Sequence, residues 1–200
     1  MSPLVPSPAF TDEFVADPAV EYEQQSHYLD RCRRVRVGPA VTLVFENRRT
    51  LAFRVRELRS LARRTGPATV SRELDWYSGL LPGPGHLLAA LAVREPGSRP
   101  SDRLNALARR VAAGRIEFRV GDRVLTGEVR PAAGGDRVLG PAYWVRFGFP
   151  AAARAALADP REPVALAVTA DGYAAESGPL APDVRRSLAE DFSGPGGGWA

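Results

Sequence analysis

Two runs of strict alternation flank a short polar linker between Val41 and Arg56. In the first, Val41, Leu43 and Phe45 alternate with Thr42, Val44 and Glu46; in the second, Leu51, Phe53 and Val55 alternate with Ala52, Arg54 and Arg56. Successive side chains of a strand point to opposite faces, so a period of two on both sides of the linker predicts a β-hairpin. Its strands would be Val41–Glu46 and Thr50–Arg56, with Asn47-Arg48-Arg49 at the tip. One face is apolar and the other arginine-rich, as in a sheet with one solvated side. The apolar face needs a second layer to cover it, and the rest of the chain must supply that layer.

Upstream, Asp17-Pro18 is a helix start, with Asp as cap and Pro in the first turn. Glu21 and Glu23 then sit near the positive end of the helix dipole and Arg31, Arg33 and Arg34 near the negative end, before Gly38-Pro39 stops the helix. Downstream of the hairpin, a helix is predicted from about Val55 to Arg64, and a second one on Val70, Leu74 and Tyr77. A Pro-Gly loop at 82–85 leads into a buried strand, Leu87–Val93. Ser101–Ala113 has the cleanest helical spacing, with Leu104, Leu107, Ala108 and Val111 on one face and Gly114 to end it. Ile116, Phe118 and Val120 alternate into a Gly121-Asp122 turn that returns through Val124–Val129. Tyr143, Val145, Phe147 and Phe149 form a strand, Pro150 opens an alanine-rich helix, Val164, Leu166 and Val168 form a strand ended by Asp171-Gly172, and Val184, Leu188 and Phe192 mark a last helix.

This order is no regular βαβ alternation. It predicts an α+β fold: a largely antiparallel sheet built from hairpins with packed helices, in a single domain over residues 17–192. Residues 1–16, with three prolines, are expected to be disordered, and residues 193–200 to form a flexible tail. A chain of 200 residues can bury a core without disulfides.

All 27 basic residues are arginine, so every cation is a planar, permanently charged guanidinium and no lysine is present for Schiff-base or P-loop chemistry. The net charge of +4 conceals an asymmetry: residues 1–29 carry five acids and no arginine, whereas residues 30–64 carry eleven arginines against three acids. A basic block of this kind answers the acidic N-terminal segment or serves an anionic partner. No apolar run approaches the ~18 residues that cross a bilayer. The N-terminus has no basic-then-apolar leader, and the single cysteine, Cys32, excludes an internal disulfide. A cytoplasmic protein is the expectation.

Two blocks point to a family. Val37–Glu57, with its GP-x-x-T-L-x-FE-N-R-x-T pattern, and Glu73–Val93, with EL-x-x-Y-x-x-L-x-PG, resemble the bacterial domain-of-unknown-function family 3501, over roughly residues 20–192. The resemblance implies no defined reaction. It implies an accessory role in redox or oxidative-stress metabolism, because members are commonly encoded beside rubrerythrin-like and iron–sulfur proteins. The resemblance also implies that many relatives carry a histidine in the YWVRF region and a His-Pro pair shortly before Tyr173. This chain has Tyr143-Trp144 and Ala170-Asp171-Gly172 there, which puts a metal site inherited from the family in doubt.

The candidate chemistry is sparse. Iron–sulfur clusters want about four thiolates and structural zinc four Cys/His ligands, whereas the chain has Cys32, His27 and His86. No metal and no cofactor are expected. Cys32, set among Arg31, Arg33 and Arg34, is a candidate reactive thiol. The Pro-Gly loop lacks the lysine and the free N–H groups of a phosphate loop, though His86 at its end is a candidate base. Arg48 and Arg49 at the predicted hairpin tip, with Arg54 and Arg56, are the candidate anion or partner docking residues, since guanidinium forks grip carboxylates and phosphates. Glu46, Tyr77, His86, Tyr143, Trp144 and Arg146 are candidate pocket or interface residues, with Trp144 on the same side of its strand as Arg146 and so expected on a partly exposed face. The leading expectation is a non-catalytic accessory protein that docks a redox metalloprotein. The alternative is an enzyme or binding protein for an anionic small molecule, with an arginine-lined pocket. RNA binding through residues 30–64 ranks third, nucleic acid being the least favoured partner. No membrane association is expected, and a homodimer is only the base-rate expectation.

Overall fold

The computed structural model describes residues 18–54, 56, 83–94, 102–131 and 143–192. In chain order these form α1 (Pro18–Tyr28), a π-helical turn (Leu29–Arg33), β1 (Arg34–Val37), β2 (Val41–Glu46), α2 (residues 48–54), β3 (His86–Val93), α3 (Asp102–Ala113), β4 (Arg115–Val120), β5 (Arg123–Thr126), β6 (Glu128–Pro131), β7 (Tyr143–Gly148), α4 (Ala151–Ala158), β8 (Val164–Ala170), β9 (Tyr173–Glu176) and α5 (Pro182–Glu190). The strands make two antiparallel sheets, one in the order β1-β2-β3-β7-β6 and one in the order β5-β4-β8-β9. The fold is α+β, as the pattern of hairpins and helices predicts, with the antiparallel strands divided between two sheets.

The sheets pack face to face, and period two explains why. Val35, Val37, Val41, Leu43, Phe45, Leu87, Ala89, Leu91, Val145 and Phe147 all point inward from the five-stranded sheet. Ile116, Phe118, Val120, Val164, Leu166 and Val168 meet them from the four-stranded sheet. Phe118 stands at the centre, with ring centroids 5.8 Å from Phe45, 5.6 Å from Phe147 and 5.0 Å from Phe149, all edge-on. Edge-to-face rings add to the burial of area because the positive rim of one meets the negative face of another. Helix α3 buries Leu104, Leu107 and Val111 and touches both sheets, at β3 of one and at β8 and β4 of the other.

The first hairpin differs from the prediction. Val41–Glu46 is a strand, but its partners are β1 and β3, and residues 48–54 are helical. The reason is local. Asn47 Oδ1 accepts the Thr50 N–H at 3.0 Å, and Thr50 Oγ1 accepts the Asn47 N–H at 2.9 Å. This reciprocal pair satisfies donors that a helix start leaves open, so the chain after Glu46 turns into a helix. Leu51 and Phe53 are buried from that helix rather than from a strand. The real hairpin is β1–β2, joined through Gly38, whose φ of +68° is a left-handed conformation that glycine adopts without strain. A Cβ there would also lie 2.7 Å from Tyr173 Oη. That hydroxyl donates to Val37 O and accepts from Val41 N at 3.3 Å, tying the hairpin to β9 of the other sheet.

Other boundaries also shift. The first helix ends at Tyr28 and passes through the π turn, closed by the Arg34 N–H donating to Leu29 O, so Arg34–Val37 is strand and not helix. The predicted return strand Val124–Val129 is cut at Gly127, leaving β5 in one sheet and β6 in the other. Asp171-Gly172 does not merely end β8; it turns it back into β9. The predicted helices over 55–64 and on Val70, Leu74 and Tyr77, and the segments 1–16 and 193–200, lie outside the described residues.

Candidate functional site

The C-terminal end of β2, the N-terminal end of β3 and the C-terminal end of β7 come together at one end of the five-stranded sheet, where Glu46 is opposite Leu88 and His86 opposite Gly148. Polar and charged side chains gather there in two adjoining groups.

The first is a buried network around Arg33, which is 2% exposed. The π turn directs Arg33 inward, while Arg31 stays exposed and pairs with Asp183 at 2.6 Å. Arg33 makes a two-pronged ion pair with Asp191, Nη1 to Oδ2 at 2.5 Å and Nη2 to Oδ1 at 2.8 Å. Its Nη2 also donates to Ser187 O at 3.2 Å and its Nε to Tyr28 Oη at 2.8 Å. Burial opposes the Arg33 charge, but Asp191 and Tyr28 outweigh that cost and hold its pKa above the ordinary value. Asn47 Nδ2 donates to the same tyrosine oxygen at 3.0 Å. With both lone pairs of Tyr28 so engaged, its proton points to Ser187 Oγ, 3.5 Å away. Arg49 lies over the Tyr28 ring at 4.0 Å, in cation–π contact. One tyrosine thus joins α1, the cap of α2 and α5.

Arg54 belongs to a second buried pair. Glu46 is fully buried, and its Oε1 accepts Arg54 Nε at 2.8 Å and Nη2 at 2.6 Å. Two of the candidate docking arginines therefore serve the fold, Arg49 on Tyr28 and Arg54 on Glu46. Arg48, on α2, and Arg56 are exposed.

Beside this network lies a groove of about 440 Å³ lined by Pro84, Gly85, His86, Gly148, Phe149, Pro150 and Arg154. Gly85 O accepts the Phe149 N–H at 2.7 Å, which fixes the mouth of the groove where β7 passes into α4. His86 Nδ1 donates to Pro84 O at 2.8 Å, so the tautomer that makes this bond keeps a lone pair on Nε2. Arg154 reaches in from the first turn of α4, its guanidinium carbon 5.9 Å from the Phe192 ring centroid. Its Nε is buried and has no hydrogen-bond partner among the described residues. Helix α4 is held from its other end by Arg185, which donates to Leu157 O and Glu162 O at 2.6 Å, to Ala156 O at 2.7 Å, and to Asp159 O. A cation suits the carbonyls of Ala156, Leu157 and Asp159, which form the negative end of the helix.

A third group lies on the outer side of the edge strand β1. Arg34 and Arg36 alternate with the inward Val35 and Val37, and Arg36 is in register with Thr42 and, through it, with Ala92. Arg94 follows on the same side, with its N–H bonded to Ala40 O at 2.8 Å. Burial first, and then the charges of Arg36 and Arg94, hold the Arg34 pKa below its ordinary value even though Arg34 pairs with Asp30. Arg36 and Arg94 are exposed.

The remaining candidates scatter. Tyr143 packs half-buried against the core. Trp144 faces the other way and is 1% exposed, so the partly exposed face expected for it is in fact covered; Arg146, on the same side, is half-buried. Cys32 is half-buried in the π turn, and the arginines around it are each paired with a carboxylate, Arg31 with Asp183, Arg33 with Asp191 and Arg34 with Asp30. Among the described residues no three His, Cys, Asp or Glu side chains gather as metal ligands would, and no helix is long and apolar enough to cross a membrane. Tyr77 lies outside the described residues. Sequence reading misses Tyr28, Arg33, Asp191 and Arg154. Only Arg154 leaves a signal, as the one charged residue in the alanine-rich helix AAARAALA.

No curated protein matches this chain. A crystal structure of a novel protein of unknown function from Burkholderia pseudomallei K96243 is similar, with 25% identity and a TM-score of 0.70 over 86% of this chain and 90% of that one. The family described as protein of unknown function, DUF3501, matches residues 20–192, and the chain belongs to that family.

Proposed function

We propose that this protein is a non-catalytic accessory protein that docks an acidic surface of a protein partner, and that the partner is a redox metalloprotein of the iron–sulfur or rubrerythrin type. The observation that carries this reading is the arginine cluster on the outer side of β1. Arg34 and Arg36 alternate along β1, and Arg94 follows Ala92, which is in register with Arg36 through Thr42; burial first, and then the charges of Arg36 and Arg94, disfavour the Arg34 cation. Like charges held together on the outward face of the sheet, with Arg36 and Arg94 exposed, are relieved when carboxylates of a partner approach. Edge strands are also where one protein most readily meets another, and charged side chains decide which partner is admitted. Support for the redox class of the partner comes from the genomic neighbourhood that the family resemblance implies. The cytoplasm is the compartment in which we place this encounter.

The test is co-purification of the tagged full chain from native cells, followed by mass spectrometry and metal analysis. The wild type is expected to enrich a redox metalloprotein, with yield falling as salt rises, and the variant R36E/R94E to lose it while melting at the same temperature. Wild-type pull-downs with no redox protein above background would sink the proposal.

A further inference from the structure

We infer that the groove at the β7–α4 junction is a binding site for a small monocarboxylate that carries a hydroxyl next to the carboxylate and an apolar body. The inference is independent of the docking surface, which lies on the outer side of β1.

Three observations carry it. The groove, about 440 Å³, is of the size that holds small ligands. Its one cation among the described residues is Arg154, which is half-buried: the Nε has no hydrogen-bond partner among the described residues, and the guanidinium carbon lies 5.9 Å from the Phe192 ring centroid. A half-buried guanidinium on a groove wall suits a carboxylate, which its terminal nitrogens can grip from the groove side. The third is His86. With Nδ1 donating to Pro84 O, Nε2 is an acceptor on the groove wall, 3.8 Å from where a Cβ on Gly148 would stand. It calls for a donor on the ligand, which a hydroxyl supplies. The α4 N-terminus, at Pro150 with no side-chain cap, adds positive potential at the same mouth. Phe149, Pro84 and Pro150 offer the ligand body an apolar wall.

The charge count selects the class. One guanidinium matches a single negative charge, whereas a phosphate dianion asks for more guanidinium groups than the described residues of the groove line up.

The experiment is isothermal titration of the full chain with mandelate, phenylacetate and inorganic phosphate. Mandelate is expected to bind, phenylacetate to bind several-fold more weakly for want of the hydroxyl, and phosphate more weakly than both. R154Q is expected to weaken mandelate binding roughly tenfold or more. Because R154Q could disturb the fold, G148A serves as a second variant. Its methyl group lands in ordinary contact with the His86 ring at 3.8 Å, so it narrows the groove without forcing a shift, and it too is expected to weaken mandelate. No heat from a folded wild type with either carboxylate, or R154Q and G148A both binding like wild type, overturns the site. Phosphate binding tighter than mandelate overturns the ligand class, and equal binding of mandelate and phenylacetate overturns the part assigned to His86.

Discussion

At the residue scale, Arg33 is the side chain on which most others depend. It is the buried half of a two-pronged pair with Asp191 and also holds Tyr28 and the α5 backbone. Removing one partner of a buried pair leaves the other uncompensated, which costs far more than the net value of the pair. Arg33→Met is therefore expected to destabilise the protein by about 3–5 kcal/mol, measured by urea denaturation. The double variant R33M/D191L should recover a good part of that loss, because both charges leave together. A double variant no better than the single one would show that the pair contributes mainly through Tyr28 and Ser187. None of this is legible in the sequence. Arg33 and Asp191 are 158 residues apart, and nothing near either one marks it as different from the other arginines and aspartates.

At the element scale, the boundary between β2 and α2 shows how a short polar motif overrides a hydrophobic period. Leu51 and Phe53 alternate with Ala52 and Arg54 as a strand would. Asn47 and Thr50 exchange two hydrogen bonds and start a helix instead, because those bonds satisfy backbone donors that a strand at this point would leave to solvent. Asn47→Ala is expected to cost about 1 kcal/mol, read from chemical denaturation. The loss in N47A/T50A should fall short of the sum of the two single losses, since each side chain acts through the other. Strict additivity would mean that the two bonds are independent and that the helix start is set by packing of Leu51. The same contest explains β1. Arg34–Val37 has the right alternation, but only four residues of it, and it follows directly on a helix, so periodicity assigns it to the helix.

At the scale of the whole molecule, Gly127 is the point at which one continuous run of strand-forming residues changes sheet. It follows β5 of the four-stranded sheet and precedes β6 of the five-stranded one. A Cβ at this position would lie 2.5 Å from Val145 Cγ1 and 2.8 Å from Phe147 Cε1. Both neighbours belong to the packed core, where space is not easily made. Gly127→Ala is therefore expected to lower stability by about 1–3 kcal/mol, seen as a lower thermal midpoint. An unchanged midpoint would show that β7 shifts to admit the methyl group. The aromatic cluster on Phe118 depends on the same crossing, because the sheets must stay face to face for Phe45, Phe147 and Phe149 to reach it.

What the sequence determined by itself is the set of elements whose signal is long and one-sided. The strands of Val41–Glu46, Leu87–Val93, Ile116–Val120 and Tyr143–Phe147, the helix with Leu104, Leu107 and Val111, and the α+β class all follow from hydrophobic period, because burying one face is a local requirement that each element must satisfy. The family is legible for a similar reason, since its motif residues do local work: Gly38 in a turn, Asn47 and Thr50 in a cap. The tertiary structure alone decided where the charges go. Eleven arginines between residues 30 and 64 look alike in a sequence. Folding buries Arg33 on Asp191, sets Arg54 on Glu46, stacks Arg49 on Tyr28, crowds Arg34 against Arg36 and Arg94, and brings the distant Arg154 beside His86. A guanidinium's role depends on which carboxylate, ring or empty space reaches it through the fold, and no local pattern records that.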